Sequence, residues 1–441
     1  MSLFAIAEAV RIGASSAVNE VDRALARIRD ANGTLNAATR LLADRAFADA
    51  DAIDRRIALG EDVGPLAGVP FGVKDLFDVA GLPTTAGAGM RRDAAPATRD
   101  AEAVRRLTAA GALLVATLNM DEYAYGFATV NAAHGTTRNP HDPARLAGGS
   151  SGGSAAAVGA DLLPLTLGSD TNGSVRVPAS LCGIHGLKPT HASLPMQGVF
   201  PFVDSFDDIG PFTKRADELE LVWRILGGAG TAATASPRAA RLGGWFLADS
   251  DPDFVPALDA IGELLGGLPE VELPEVARAR SAAFLMTAAE GGAFHLPTLR
   301  SRALEYDPAT RDRLIAGALL PHAAYAAAEA FRAWFRAQVA ALFERFDVLV
   351  APAAPCVAPL VDDPVIEVGG QRVPARANLG MLTQPISFIG LPVVTVPLRR
   401  PGQLPLGIQL IGRRGDEATL FALAKQLEAV GITGYSAPRS A

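Results

Sequence analysis

Two glycine-rich loops, each carrying serines, lie close together in this sequence. The first covers residues 148–154 (GGSSGGS) and the second covers residues 168–174 (GSDTNGS). Glycine lets a backbone approach a ligand closely and adopt positive φ at little steric cost. Few polar residues separate the loops, and an Ala-rich helix and a short apolar strand are predicted between them. This spacing favours a site for a serine nucleophile over two ordinary turns.

A serine hydroxyl is a weak nucleophile until a base removes its proton, and a lysine in an apolar segment is the candidate base. Only four of the 40 basic residues are lysines: Lys74, Lys188, Lys214 and Lys425. Lys74 lies in the apolar segment VPFGVKD. Arginine keeps its proton near neutral pH, whereas a desolvated lysine can lose it. The pattern therefore indicates a proton-accepting Lys74, with a snorkelling surface lysine as the alternative.

These motifs resemble the amidase signature family of hydrolases. In that family a GGSSGGS loop supplies a serine that follows a cis peptide bond, and a GSDTGGS loop supplies the nucleophile. Matched motif by motif, the resemblance implies a Ser–Ser–Lys triad of Ser174, Ser150 and Lys74. The three motifs also occur in the family's order, and the resemblance covers nearly the whole chain.

The resemblance implies amide hydrolysis through an acyl-enzyme on Ser174. Ser150 would relay the proton from Ser174 to Lys74 and later to the leaving nitrogen. The cis peptide bond would be the one between Gly149 and Ser150. Backbone N–H groups of the second loop would form the oxyanion hole, and these belong to Thr171, Asn172, Gly173 and Ser174.

One residue departs from the family pattern, because Asn172 stands where most members have glycine. Asparagine tolerates positive φ better than most residues, so the loop can keep its shape. The Asn172 amide is expected to project towards the substrate, which argues against a broad-specificity amidase. Asp170 and Arg176 flank the loop and are expected to pair and hold its shape.

The resemblance also implies which residues touch the substrate. In the family the segment NMDEYAYGF lines the acyl pocket, so Tyr125 and Gly126 are expected as wall residues. Gly149 of the first loop is expected to join them. An aromatic turn packed in the core is the alternative interpretation of this segment.

Within the family, several segments most resemble the 1-carboxybiuret hydrolases, namely GSDTNGSVRVPASLCG, NMDEYAYGF, RLIAGALLPHAAY and NLGMLTQPISFIGLPVV. Such enzymes deaminate a small carboxylated urea derivative and associate with a small helical partner subunit. A planar guanidinium binds a carboxylate bidentately. Arg313, Arg332 and Arg376 are therefore candidates to bind an anionic substrate, with surface charges as the alternative.

The chain predicts an α/β fold with a mixed, twisted central β-sheet covered by helices on both faces. A helix from Thr98 to Ala110, followed by an apolar strand from Ala112 to Thr117, gives a β-α-β rhythm. Further strand candidates are residues 162–167, 347–350, 391–397 and 406–411.

We predict one amidase-signature domain over residues 1–441. Its parts are an N-terminal helical layer (1–60), a signature core (66–215), a mostly helical variable layer (216–345) and a C-terminal return to the core (346–441).

Composition excludes several functional classes. The net charge of −7 gives no electrostatic footprint for nucleic acid or an anionic membrane. Two cysteines cannot build a disulfide framework, and neither a signal peptide nor a membrane span is expected, so a cytoplasmic location is predicted. His134 and His141 have no third ligand at a usual spacing, so both are expected to be structural or exposed and no metal site is expected. No cofactor is expected either. The expected partners are a small amide or urea, a second copy of the chain and a small helical subunit.

Other interpretations share parts of this pattern. The glutaminase subunit of the glutamyl-tRNA(Gln) amidotransferase would use the same triad, but Asn172 and the short region 230–300 weigh against it. A general small-amide amidase and a scaffold with a relic site are further alternatives. A nucleophile pair of Cys182 and His185 is disfavoured, because no glycine loop beside them supplies an oxyanion hole. An α/β-hydrolase is rejected, because no strand directly precedes the G-x-S-x-G match at residues 149–153.

Overall fold

A large mixed β-sheet forms the centre of the computed structural model, which describes residues 2–230 and 232–438. The strands, in chain order, are β1 (Ala38–Leu41), β2 (Pro70–Lys74), β3 (Leu113–Leu118), β4 (Val130–Asn131), β5 (Gly135–Thr136), β6 (Leu165–Asp170), β7 (His185–Lys188), β8 (Asp208–Thr213), β9 (Ala239–Leu242), β10 (Glu270–Val271), β11 (Val348–Pro352), β12 (Val365–Val368), β13 (Gln371–Pro374), β14 (Val393–Pro397) and β15 (Gly407–Gly412).

Helices flank this sheet. In chain order they are α1 (Leu3–Arg11), α2 (Ala17–Leu35), α3 (Ala43–Ala58), α4 (Glu102–Ala109), α5 (Gly152–Gly159), α6 (Arg176–Cys182), α7 (Ala216–Ile225), α8 (Phe254–Leu265), α9 (Val276–Arg302), α10 (Pro308–Ala318), α11 (His322–Leu342), α12 (Ala375–Asn378), α13 (Gln384–Ser387) and α14 (Glu417–Ala429). Short 3₁₀ helices cover Gly89–Arg91, Glu122–Ala124, Gly244–Phe246 and Ala303–Glu305.

The strands of the large sheet lie in the order β1-β3-β2-β6-β8-β7-β14-β15-β11-β9-β10. Strand β2 pairs in parallel with β3 and β6, whereas β8 pairs antiparallel with both β6 and β7. Every residue of β2, β3 and β6 is buried. Strand β3 is a nearly continuous apolar run, which is typical of a strand covered on both faces. The predicted α/β class with a mixed sheet is confirmed.

The N-terminal region is helical, as predicted, but it also contributes a strand. In α2 the residues Val21, Leu25 and Ile28 recur at helical spacing and are buried. The strand β1 pairs antiparallel with β3 at the edge of the sheet. Its four residues are too few to show an alternating pattern, so the sequence did not indicate it.

The helix predicted from Thr98 begins instead at Glu102. The Asp100 carboxylate binds the Arg45 guanidinium and the backbone N–H of Ala80, so residues 98–101 form a loop held by long-range contacts. The division of the chain into four parts stays a prediction.

Helices α10, α11 and α13 pack against α9. Thr287 of α9 contacts Asn172, which follows the end of β6. No single described helix is long and apolar enough to cross a membrane. One pair, α10 and α11, passes that test only when taken together, and it is bent by 91°.

Candidate active site

Lys74 is the last residue of β2, and its side chain is fully buried. Its Nζ atom lies 2.7 Å from Ser150 Oγ and 2.9 Å from Ser169 Oγ. Ser150 comes from the first glycine-rich loop, and Ser169 lies near the end of the neighbouring parallel strand β6. The parallel pairing places the carboxyl ends of both strands at one edge of the sheet, which brings the lysine and the serines together.

Burial lowers the pKa of Lys74 from 10.5 to about 7, although Asp121, Asp207 and Asp170 oppose this shift through their charge. Among residues 2–230 and 232–438, no carboxylate forms an ion pair with Lys74. Each of the other lysines has such a partner: Lys188 binds Asp208, Lys214 binds Asp161 and Lys425 binds Glu220. Lys74 is thus the lysine whose surroundings favour the neutral amine.

The first glycine-rich loop contains the expected cis peptide bond between Gly149 and Ser150. Gly149 is packed so tightly that a Cβ atom there would lie 2.3 Å from Asp121 Oδ2 and 2.5 Å from the backbone N of Ala128. Only glycine fits at this position. At Gly149 the backbone of the first loop therefore packs directly against Asp121 and Ala128.

The two serine loops meet directly, because the backbone N–H of Ser151 donates to the carbonyl of Ser174 at 3.3 Å. In the second loop Gly173 has a φ of +131°, and a Cβ atom there would lie 2.0 Å from Thr383 Oγ1. The N–H of Gly173 donates to Asp170 Oδ1 at 2.7 Å, so this one of the four expected oxyanion donors is already engaged.

The other three expected donors are unoccupied. Within the described part of the chain, nothing accepts a hydrogen bond from the backbone N–H groups of Thr171, Asn172 or Ser174. Backbone N–H groups converging on one point stabilise a developing oxyanion. The oxyanion role of these three N–H groups stays a prediction, and none of them has an acceptor among the described residues.

Asp170 and Arg176 pair as expected, in a fully buried ion pair with an Nη2 to Oδ1 distance of 3.0 Å. Burial alone would raise the pKa of Asp170, but the Arg176 guanidinium holds that pKa below its ordinary value. Arg176 also donates to the Thr383 carbonyl, Gln409 Oε1 and Ser387 Oγ. It therefore ties the second serine loop to the C-terminal part of the chain.

We expect Arg176→Met to lower the free energy of unfolding by about 3–5 kcal/mol, because it leaves the Asp170 carboxylate buried and unpaired. Urea denaturation measures the change. Arg215→Met is the matched control: it breaks an exposed pair with Asp217 and should cost less than about 1 kcal/mol. Equal losses in the two variants would show that burial of the Arg176 pair is irrelevant.

A cavity beside Ser174 is lined by the expected wall residues Tyr125 and Gly126 and by Arg313. The Arg313 guanidinium lies over the Tyr125 ring, 3.7 Å from its centroid, and donates to the Tyr125 carbonyl at 3.1 Å. Burial lowers the pKa of Arg313. No described carboxylate forms an ion pair with Arg313, although the charge of Asp121 opposes the lowering of its pKa. Arg313 therefore brings a guanidinium without a bound carboxylate to the cavity.

The other two candidate arginines lie outside this cavity and are engaged elsewhere. Arg332 donates to the backbone carbonyls of Phe388 and Ser205. Arg376 contacts Asp307 and donates to Thr310 Oγ1 at 3.0 Å. Substrate binding by Arg332 or Arg376 stays a prediction, which these contacts with other protein groups do not favour.

Sequence reasoning missed several polar contacts of the site. Ser169 contacts Lys74, and Thr171 Oγ1 donates to Asp207 at 2.6 Å. Thr287 of α9 accepts a hydrogen bond of 2.7 Å from the Asn172 amide. Ser169 lies inside a loop that the sequence singled out, so its position was the available signal. Nothing local in the sequence marks Thr287.

The alternative pair Cys182 and His185 does not form a nucleophile site. The Cys182 thiol donates to the Ala147 carbonyl at 3.3 Å, and burial raises the pKa of that thiol. Burial lowers the pKa of His185 to about 4. A protonated thiol bonded to main chain lacks the thiolate that nucleophilic attack requires.

The two serine loops and the buried lysine lie together at one edge of the mixed sheet. The family model described as Amidase matches residues 20–242 and 267–421. The chain therefore belongs to the amidase family, the amidase signature enzymes, in which a Ser–Ser–Lys triad is typical.

Curated relatives agree with this assignment. The chain is 45% identical to AtzE, the 1-carboxybiuret hydrolase subunit of Pseudomonas sp. (strain ADP), covering 98% of this chain and 99% of that protein. It is 34% identical to a subunit of the glutamyl-tRNA(Gln) amidotransferase of Roseiflexus sp. (strain RS-1), covering 96% and 95% respectively.

Solved structures match the fold over its full length. A structure described as a vestigial protein complex of an s-triazine catabolic enzyme is 44% identical with a TM-score of 0.95, covering 99% of this chain and 100% of that one. A crystal structure of an amidase is 32% identical with a TM-score of 0.91, covering 98% and 100%. This protein is an amidase-family hydrolase.

Proposed function

We propose that Lys74, Ser150 and Ser174 form the catalytic triad of an amidohydrolase. The observation that carries this is the fully buried Lys74 amine, which contacts two serine hydroxyls and, among the described residues, no carboxylate. A lysine in that setting is a base near neutral pH. Its neighbour Ser150 is held in a loop that is hydrogen-bonded to Ser174.

In the proposed reaction the Ser174 Oγ attacks the substrate carbonyl, and its proton passes through Ser150 to Lys74. The N–H groups of Thr171, Asn172 and Ser174 stabilise the oxyanion. The tetrahedral intermediate expels the amide nitrogen, which takes the proton back through Ser150 and leaves as ammonia. Water then cleaves the acyl-enzyme, and the acid product leaves.

We further propose that the substrate is a small anionic amide or urea derivative, similar to 1-carboxybiuret. The relative that is 45% identical carries that activity in its name. Arg313 brings a guanidinium without an ion-pair partner among the described residues to the cavity of Ser174. A carboxylate on the substrate would form an ion pair with the Arg313 guanidinium. Ammonia release from a panel of amides and ureas tests the substrate class.

Arg313→Met should raise the KM for succinamate, an anionic amide, by about 10- to 100-fold, because a charge-assisted hydrogen bond is lost. The KM for succinamide, the neutral analogue, should change much less. Steady-state ammonia release measures both. Arg300→Met is the control, since Arg300 is exposed on α9 and should leave both values unchanged. A similar rise in KM for both substrates would contradict carboxylate binding by Arg313.

A glutaminase function is the second candidate, because a subunit of the glutamyl-tRNA(Gln) amidotransferase is 34% identical over nearly the whole chain. Hydrolysis of L-glutamine at a rate comparable to that of small ureas would favour it. We favour the urea-type substrate, since the higher identity is with the hydrolase named for 1-carboxybiuret.

The proposal also includes a protein partner. Both curated relatives are named as subunits, and one matching structure is described as a protein complex. We propose that this chain associates with a small helical subunit or a second copy of itself. The molecular mass of the protein purified from its natural source, measured by light scattering, tests this.

A further inference from the structure

The cavity beside Ser174 contains a buried hydrogen-bond acceptor that nothing in the described chain uses. Asn172 and Ser174 both line this cavity. The Asn172 Nδ2 donates to Thr287 Oγ1 at 2.7 Å, but Oδ1 of the same amide is buried and has no partner among the described residues. A buried acceptor without a donor is unfavourable, so a native structure that keeps one needs a reason for it.

Asn172 is held firmly in this position. Thr383 Oγ1 donates to its backbone carbonyl at 2.6 Å, and Thr287 of α9 fixes its side-chain amide. Because the main chain and the side chain are both anchored, the amide cannot turn without breaking a hydrogen bond. With Nδ2 bound to Thr287, the acceptor Oδ1 is the free end of the amide.

The residues around Asn172 Oδ1 indicate what kind of ligand could reach it. Asn172 directly precedes Gly173 and Ser174 on the loop that carries the proposed oxyanion donors, and it lines the same cavity as Ser174. Tyr125 and Arg313 occupy the same cavity, and the Tyr125 hydroxyl is likewise buried without a partner among the described residues. The cavity thus combines an acceptor on Asn172 with a cation on Arg313.

We propose that Asn172 Oδ1 accepts a hydrogen bond from a substrate N–H that is attached to the scissile carbonyl, and that it thereby selects ureas over carbon-chain amides. A urea carries such an N–H on the acyl side, whereas an ordinary amide carries a methylene group there. The missing donor leaves the buried acceptor unpaired, which disfavours the amide. This inference rests on the proposed function, and Thr287 acts in it as a positioning residue.

The test uses two anionic substrates that differ at one position. Hydantoate has an N–H next to its terminal carboxamide carbonyl, and succinamate has a CH2 there. Both release ammonia and both carry a carboxylate, so any contribution of Arg313 cancels in the ratio of their kcat/KM values. In Asn172→Gly we expect this hydantoate-to-succinamate ratio to fall about tenfold from its wild-type value, as expected for the loss of one hydrogen bond.

Variants at Thr287 separate recognition from loop stability. Thr287→Val removes the hydroxyl that orients the amide and should also lower the ratio, although Asn172 is still present. Thr287→Ser keeps the hydroxyl and should keep the wild-type ratio. An unchanged ratio in Asn172→Gly, with both substrates slowed equally, would overturn the proposal. A raised ratio would also overturn it, because the amide nitrogen would then face the substrate.

Failure of the proposed function gives a different result. If the wild-type protein hydrolyses neither compound, the proposed amidohydrolase reaction is contradicted. The binding of the two compounds is then measured by isothermal titration calorimetry. Hydantoate should bind more tightly than succinamate to the wild-type protein, and Asn172→Gly should abolish the difference. Equal binding of both compounds to the wild-type protein would overturn the inference in that case too.

Discussion

Ser174→Ala is expected to lower kcat by at least about 10³-fold, because the proposed acyl-enzyme cannot form without the Ser174 hydroxyl. Ammonia release under saturating substrate measures the loss, and labelling by a fluorophosphonate probe should disappear with it. The fold should persist, since the change removes one oxygen from a loop that Arg176 and Asp170 hold in place.

Two further variants are compared with Ser174→Ala, one in the proposed proton relay and one as a control. Ser150→Ala should also lose most activity, because the proton relay between Ser174 and Lys74 is broken. Ser193→Ala is the control, since Ser193 is exposed and should behave as wild type. If Ser174→Ala kept more than about one-tenth of the wild-type kcat, the nucleophile would have to be another residue.

Lys74→Arg is expected to be nearly as inactive as Lys74→Ala, with a loss of about 10²–10⁴-fold in kcat/KM. Arginine keeps the positive charge but cannot give up its proton near neutral pH. The comparison therefore separates a base from a mere cation. A Lys74→Arg enzyme close to the wild-type rate would remove Lys74 from the role of base.

The pH profile tests the same role. The pKa of Lys74 is lowered to about 7, so the amine is neutral above that pH and protonated below it. Only the neutral amine accepts a proton, so kcat/KM should rise with pH through a midpoint near pH 7 and level off above it. A profile whose midpoint lies near the ordinary lysine value of 10.5 would contradict the effect of burial.

The sequence predicted the chemical groups of the site better than their contacts. Lys74, Ser150 and Ser174 stand out because glycine-rich and apolar surroundings mark them locally. The contact between Lys74 and Ser169 depends on β2 and β6 being parallel neighbours, which no local pattern reveals. Thr287 reaches Asn172 across 115 positions of the chain, so only the fold brings them together.

The fold class was predictable, but individual strands were not. Strand β8 lies in the middle of the sheet between β6 and β7, and the sequence did not indicate it. Its segment DIGPFT contains Gly210 and Pro211, which normally argue against a central strand. Pairing with β6 and β7 outweighs those local preferences, as tertiary context often does.

The buried Arg176 joins the second serine loop to residues that are synthesised much later. Its guanidinium binds Thr383 and Gln409, which follow it by 207 and 233 positions. While the ribosome is still translating, Asp170 and Arg176 have emerged but lack the later residues that surround them. Contacts so distant in sequence carry a large loop-closure entropy cost, which slows folding. A chain that ends before Thr383 lacks both of these partners, so its second serine loop is not tied to the C-terminal part of the fold.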